Sequence, residues 1–445
     1  MGDPNIDRGP GDEERVPSTE RDDTWRSSYR DVMAIGEFRS IWLAHALSVI
    51  GTNLLNIATA LLVYKVTESA FATGVTLALN FLPPLIGGPL LSGLADLLPR
   101  RRVMVACDVL RACVIVLIGV PGMPIWAIWC LMFFSVLPGI PFAAARAALL
   151  TQIIQGERYV ASTTIIQLTA QLGMLIGLIA GGMTVAAVGP NVTVMGTGVL
   201  FALSALILLV GVKARPLPPR EEAPSDGPAQ TGRRPRLLSM FRDGAKLVFS
   251  DPKLRVLILM AWLAGLYGIP YGLATPMAAE AGGGPTAAGF IMAGAAIGAL
   301  FGGLVLTRLI PPTTRIRLLG PLAALTSVPL LLWVFQMPLW AMVLALAVCG
   351  AAGSYQFVAN AAFVLCVPRE GRAQAFGLAA SGIQVAQGVG ILVSSYYVES
   401  FGTGPVIVTA GAASLILGVL LAVLWSRRSA EVVARMEETE SEKAA

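Results

Sequence analysis

The sequence is short of charge, of histidine and of every pattern that serves covalent or metal chemistry. Asp, Glu, Lys and Arg make up 13% of its 445 residues and apolar residues 55%, whereas soluble domains carry roughly 25% charged residues. A chain so poor in polar groups cannot cover a water-facing exterior, which excludes an ordinary soluble enzyme. A single histidine, His45, leaves no room for a histidine-based triad or a His-rich metal site. The five cysteines, Cys107, Cys113, Cys130, Cys349 and Cys366, lie in or beside apolar runs with no CxxC spacing. An odd number so placed argues against a disulfide framework or zinc site and for small packing residues inside helices. The absence of a GxxxxGK[ST] loop removes ATP-driven work. No cofactor, no metal and no enzymatic activity are expected. The pI near 9.1 would suit nucleic acid, but the basic residues form short clusters between apolar runs and not one soluble face, so nucleic acid is not an expected partner.

What the chain has in excess is long uncharged apolar sequence, with a mean hydropathy of +0.72. Runs near 39–64, 71–95, 103–121, 124–149, 161–187, 192–213, 254–280, 284–309, 316–335, 338–366, 375–398 and 403–426 each suffice to cross a hydrocarbon layer of about 30 Å, which takes roughly 17–25 helical residues. Solid apolar runs exclude a barrel, whose strands alternate, and leave helices as the one spanning structure that satisfies its own backbone. The expectation is an all-α integral membrane protein with twelve transmembrane helices, and the lipid bilayer as its solvent.

Alternate loops differ in charge. One set holds Arg100, Arg101 and Arg102, then Arg158, then Arg233, Arg234 and Arg236, then Arg315 and Arg317, then Arg369 and Arg372, while the other holds little more than Lys65. The positive-inside rule makes the first set and both termini cytoplasmic, in a plasma (inner) membrane. No cleavable leader is evident. Residues 1–37 read as a cytoplasmic disordered tail, in which SSYRDVMAIGEFR could instead form an amphipathic surface helix. Residues 214–252 read as a cytoplasmic central loop between six-helix bundles at 38–213 and 253–428, with a second tail at 429–445. The halves repeat: IQLTAQLGMLI at 166–176 lies on IQVAQGVGILV at 383–393, Gly189-Pro190 on Gly404-Pro405, and QGER before span five on REGR before span eleven. Such duplication favours a site between the halves near the midplane.

The stretch SGLADLLPRRR at 92–102, set in this twelve-span plan, resembles the major facilitator superfamily over about residues 38–428. The family pattern runs Gly, three residues, Asp, a basic residue, any residue, Gly, Arg, and Arg or Lys. Asp96, Arg100 and Arg101 match it, while Ser92, Leu97 and Pro99 depart from it. CDVLRA at 107–112, PFAAARAALL at 141–150 and QGERYVAS at 155–162 look like the macrolide, siderophore and drug efflux branch. The resemblance implies two six-helix bundles related by a pseudo-two-fold axis, and secondary export of a hydrophobic or amphiphilic small molecule by alternating access. It also implies a gating role for Asp96, Arg100, Arg101, Asp108, Arg111 and Arg146. Leu178 replaces the proline of the fifth-span GPxxGG pattern, and Ser135 stands where antiporters carry a span-four arginine. Both departures weaken the case for proton-coupled antiport.

Polar residues deep in spans are candidates for a substrate site: Asn53, Asn56, Asn80, Gln167, Gln171, Tyr267, Tyr271, Gln356, Asn360, Gln384 and Gln387. Several recur at i, i+3 or i, i+4, giving one polar face per helix that lipid would penalise. Amides among aromatic and apolar walls suit a bulky, mostly uncharged or amphiphilic molecule, or else bond helix to helix. Gly173, Gly177 and Gly181, and Gly294, Gly298 and Gly302, form four-residue ladders suited to close backbone approach, either between the halves or within one. His45 is the candidate carrier of a coupling proton by its ordinary titration range, against a packed neutral role. The protein is expected to act as a monomer. An importer, or a transport-inactive sensor or assembly subunit on the same scaffold, are the alternatives.

Overall fold

The computed structural model describes residues 29–84, 97–215, 237–368 and 371–429, and these are all helix, turn and loop, without a strand. The helices are α1 Gly36–Thr67, α2 Ala70–Ala78, α3 Arg100–Ile118, α4 Ile125–Ile153, α5 Glu157–Val188, α6 Pro190–Gly211, α7 Leu237–Ser250, α8 Pro252–Glu280, α9 Gly284–Arg308, α10 Pro312–Leu325, α11 Leu339–Cys366, α12 Arg372–Phe401 and α13 Thr403–Ser426. Ten of these, α10 counted with the 3₁₀ turn Val328–Val334 that follows it, are long and apolar enough to cross a bilayer. The remaining two expected spans are α3, which opens on three arginines, and α2, whose continuation lies outside the described residues. The twelve-span plan is consistent with this count. α7 is an addition: the end of the segment expected as central loop folds into an amphipathic helix, with Val248 buried and Gly244 set against Gln374 of α12. Near the start, residues 29–34 are also helical and Asp31 pairs with Arg158 at 2.9 Å.

The repeat is visible in backbone conformation. Gly156 before α5 and Gly371 before α12 have φ of +64° and +86°, and Gly189 after α5 and Gly402 after α12 have φ of +82° and +78°. A side chain at φ near +80° clashes with its own backbone, so glycine is the residue that lets one helix follow another directly. Gly402, and not Gly404, is therefore the structural partner of Gly189.

In the first half α1 packs against α5 and α6, and α6 against α3; in the second, α9 packs against α11 and α10 against α13. The halves meet where α5 touches α9 and where α2 touches α12 and α8. Both glycine ladders face partners in their own half. A Cβ at Gly177 would lie 2.6 Å from the Ile50 carbonyl of α1, and one at Gly298 only 1.7 Å from the Ala347 carbonyl of α11. The boundary uses the neighbouring glycines, Gly182 and Gly289, whose backbones face each other so closely that a Cβ on Gly182 would sit 3.0 Å from the Gly289 Cα.

Besides α10, which passes into its 3₁₀ turn at Thr326-Ser327, three of the described spans are broken. α8 is interrupted at Leu263 and Gly268, α11 at Ser354 and α4 at Leu137-Pro138. In α8 the cause is local, since Pro270 has no N–H to return to the preceding turn and Gly268 adds freedom. Breaks at mid-membrane are tolerated where the freed backbone faces protein or a cavity.

Candidate functional site: a cavity between the halves

The breaks in α8 and α11 lie beside a cavity of about 340 Å³ at the boundary of the halves. Asn56 of α1, Asn80 just past α2, Tyr267 and Tyr271 of α8 and Gln387 of α12 give it polar groups; Phe81, Met174, Met292 and Ile391 give it apolar walls. Among the described residues no charged side chain lines it. Tyr271 and Asn56 line it together, and the Asn56 Oδ1 is buried without a partner among the described residues. The Asn80 amide nitrogen donates to the Leu77 carbonyl at 3.1 Å, leaving its oxygen free to accept. Gln356 steadies Tyr267: its Nε2 donates to the Tyr267 hydroxyl at 2.5 Å and to the Ala261 carbonyl at 3.2 Å, while Tyr355 donates to the Met260 carbonyl at 2.6 Å. Together these bonds tie the break in α11 to the break in α8.

The other expected site residues divide into groups. Gln171 and Gln167 are exposed and stand one and two turns before Met174 on the same face of α5, so their row runs from the cavity toward the end with the basic loops. Gln384 precedes Gln387 by three residues on α12 and is half-buried. Asn360 is exposed beyond the break in α11. Asn53 turns back on its own helix, donating to the Val49 carbonyl at 2.9 Å. The cavity thus gathers five of the eleven, with Gln356 directly behind.

A larger apolar groove of about 1000 Å³ runs along α12 between α8 and α13. Val385, Val389 and Val393 line it, on the opposite side of α12 from Gln387 and Ile391. Its walls suit acyl chains, and it offers no convergent polar set.

The charged candidates form a separate cluster inside the first half. Asp96 lies outside the described residues. Arg100 donates to the Ala148 carbonyl of α4 at 2.9 Å, and Arg101 to the Leu209 carbonyl of α6; neither pairs with an acid among the described residues. Arg111 lies eleven residues farther along α3 than Arg100, about 16 Å at the helical rise. Its guanidinium donates to the Ser135 carbonyl (3.2 Å), Ser48 Oγ (3.2 Å) and Thr52 Oγ1 (2.9 Å), and stacks 4.2 Å from the Phe201 ring centroid. Position 135, where an arginine of span four was sought, is thus reached by an arginine from span three. Asp108, fully buried, accepts from Ser204 Oγ at 2.5 Å through Oδ2, while Oδ1 has no partner among the described residues. Among the described residues, these charged side chains bond to α1, α4 and α6. Arg146 donates to His45 Nδ1, so that nitrogen carries no proton of its own.

At the opposite end lie contacts the sequence reading missed. Glu399 of α12 accepts from the Ser69 hydroxyl and the Phe71 N–H at the start of α2. The available signal was its position, an acid closing an apolar run on the side that otherwise holds Lys65, Glu68 and Glu280.

Comparison with known proteins accords with this architecture. The sequence profile of the Major Facilitator Superfamily matches residues 41–353 and 267–444, and the chain belongs to that family. It is a membrane transporter of the facilitator type. Among solved structures it is similar to the nucleoside transporter NupG (TM-score 0.68, 13% identity, 87% of this chain and 99% of that one). It is also similar to a POT family transporter in complex with 5-aminolevulinic acid (0.69, 10%, 88% and 96%) and to a bacterial homolog of the human lysosomal transporter Spinster in an inward-facing, unoccupied conformation (0.60, 15%, 90% and 96%). No curated protein matches the sequence. At these identities the likeness is one of fold alone.

Proposed function

We propose that the protein is a secondary transporter that exports an uncharged or amphiphilic organic molecule through the cavity between its halves, by alternating access. The observation that carries this reading is the cavity wall: amides and phenols from both halves, set among aromatic, thioether and aliphatic groups, with no acid or base among the described residues. Such a wall holds a ligand by apolar burial and a few directed hydrogen bonds, and discriminates against charged solutes, which would be stripped of water without an ionic partner. The arginine-rich loops support an orientation with both termini and the row formed by Gln167 and Gln171 on the cytoplasmic side of a plasma membrane. The contacts of α2 with α12 and α5 with α9 then close the outer end, which suits loading of the cavity from the cytoplasmic side before export. Export is also the direction implied by the efflux-like segments at 107–112, 141–150 and 155–162. Arg100, Arg101, Asp108, Arg111 and Arg146 act in gating by bracing the cytoplasmic half of the first bundle, so that it moves as one body.

The test begins with a thermal-shift screen of neutral and amphiphilic compounds on detergent-solubilised protein, because a ligand that binds only the folded form stabilises it. Hits are then assayed for movement in proteoliposomes of known orientation. Stabilising hits that move from the cytoplasmic side outward are expected. Stabilisation only by strongly charged solutes would contradict the assignment, and uptake in cells that is lost on gene deletion would reverse the direction.

A further inference from the structure

We propose that Glu399 is a positioning residue for the transport cycle, holding the outer end shut by completing, from one half, the helix cap of the other. The inference rests on the transporter reading for its meaning, but its geometry stands separately. The first N–H groups of a helix have no partner within the helix and carry partial positive charge. At the start of α2, Ser69 Oγ accepts the Ala72 N–H at 3.0 Å. The Ser69 hydroxyl proton and the Phe71 N–H remain, and one oxygen of Glu399, Oε1, takes both, the latter at 3.3 Å. The acceptor comes from α12, which belongs to the second half. Around this contact the two halves are flush: the Phe71 and Tyr396 rings meet edge to face at 6.0 Å, and a Cβ on Gly74 would lie 1.9 Å from Ser395 Oγ.

The fold contains its own control. Glu280, at the end of α8, accepts from the Thr403 N–H at 3.2 Å and from the Thr403 hydroxyl at the start of α13. The chemistry is the same, an acid capping another helix through a hydroxyl and an N–H. However, α8 and α13 lie in one half, so this cap persists whichever side of the protein is open. The Glu399 cap exists only while the outer end is closed. A contact made in one of two states biases the equilibrium by its whole free energy, whereas one made in both states does not shift it. Glu399 is therefore coupled to the position of the halves, and Glu280 is coupled to stability alone.

The experiment uses full-length protein in intact cells, with cysteine introduced at Asn80 as a cavity reporter, and follows its labelling by a membrane-impermeant maleimide from outside. Glu399→Ala is expected to raise the labelling rate by about tenfold, the effect of losing a charge-assisted hydrogen bond from one state of two. Glu399→Asp restores part of the closure. Ser69→Ala, which removes one donor to the acid together with the cap on the Ala72 N–H but leaves the Phe71 N–H to Glu399, raises the rate less and serves as the reading if the Glu399 variants fail to reach the membrane. Glu280→Ala is expected to lower thermal stability without changing the rate. Parental labelling in both Glu399→Ala and Ser69→Ala, or an equal rise in Glu280→Ala, would overturn the proposal. Because labelling reports access and not movement of a solute, these outcomes remain readable if the substrate assignment fails.

Discussion

Replacing Gly289 by alanine should drive the two halves apart at their outer end. A Cβ at Gly289 would lie 2.8 Å from the Leu178 carbonyl oxygen, and one at Gly182 would lie 2.7 Å from the Pro285 carbonyl oxygen, where ordinary contact begins at 3.4 Å. The shortfall is 3.4 − 2.8 = 0.6 Å at Gly289 and 3.4 − 2.7 = 0.7 Å at Gly182. The obstructing atoms are backbone, so no rotamer change relieves the overlap. In a fixed core, overpacking of this kind costs about 1–3 kcal/mol. Here the touching surfaces belong to bodies that can separate, so the strain is released by moving to the outward-open arrangement, changing the ratio of states by about 5- to 150-fold. Spin labels at Val66 and Phe401, exposed on the outer ends of the first and second halves, would show the change as a longer distance population by pulsed electron resonance. The control is Gly298→Ala: its Cβ would meet the Ala347 carbonyl at 1.7 Å, inside the second half. It should lower the unfolding temperature and leave the distance unchanged. If Gly289→Ala lost stability while its distances matched the parent, the strain would be absorbed within the halves and the boundary would not be the moving surface.

Other perturbations separate fold from site. Arg111→Met removes three hydrogen bonds of a buried guanidinium; at about 1 kcal/mol for each, about 3 kcal/mol of stability should be lost, read from denaturation of the purified protein. Ser414→Ala breaks the buried 2.7 Å bond from Ser327 in the second half and should cost about 1 kcal/mol by the same measurement, with no effect on ligand affinity. Gln356→Leu frees the Tyr267 hydroxyl and should weaken ligand binding several-fold by loosening that phenol, a shift measurable by titration calorimetry.

The gross plan was legible because each span must satisfy its own backbone in lipid, so the apolar runs and the alternation of arginines mark helices directly. The segments QGER and REGR, which hold Gly156 and Gly371, and the Gly189-Pro190 pair made the repeat legible too, although the match to Gly404-Pro405 was two residues off, since it followed the proline and not Gly402, the residue with positive φ. α7 was not legible as a helix because LLSMFRDGAKLVFS is too short and polar to read as a span, and its apolar side is satisfied by α12. Within the site, Asn56, Asn80, Tyr267, Tyr271 and Gln387 stood out as polar groups in apolar context. Which of the eleven candidates converge could not be read, because helix rotation fixes it. One turn separates Asn53, bonded to its own helix, from Asn56 facing the cavity. The glycine ladders show the same limit: spacing by four declares a close contact without naming the partner, and Gly181 meets α1 while its neighbour Gly182 meets α9. Glu399 was overlooked because its partner lies 330 residues away in sequence.

The most direct test is the affinity of a stabilising ligand for variants of the cavity and of the apolar groove, measured side by side. If the chamber between the halves is the transport site, Asn80→Leu and Gln387→Leu should each weaken binding by tenfold or so and slow transport in proteoliposomes, while Val389→Ala in the groove leaves both unchanged. Binding that survives the two amide substitutions and falls with Val389→Ala would put the ligand on the bilayer side of α12 and contradict the account.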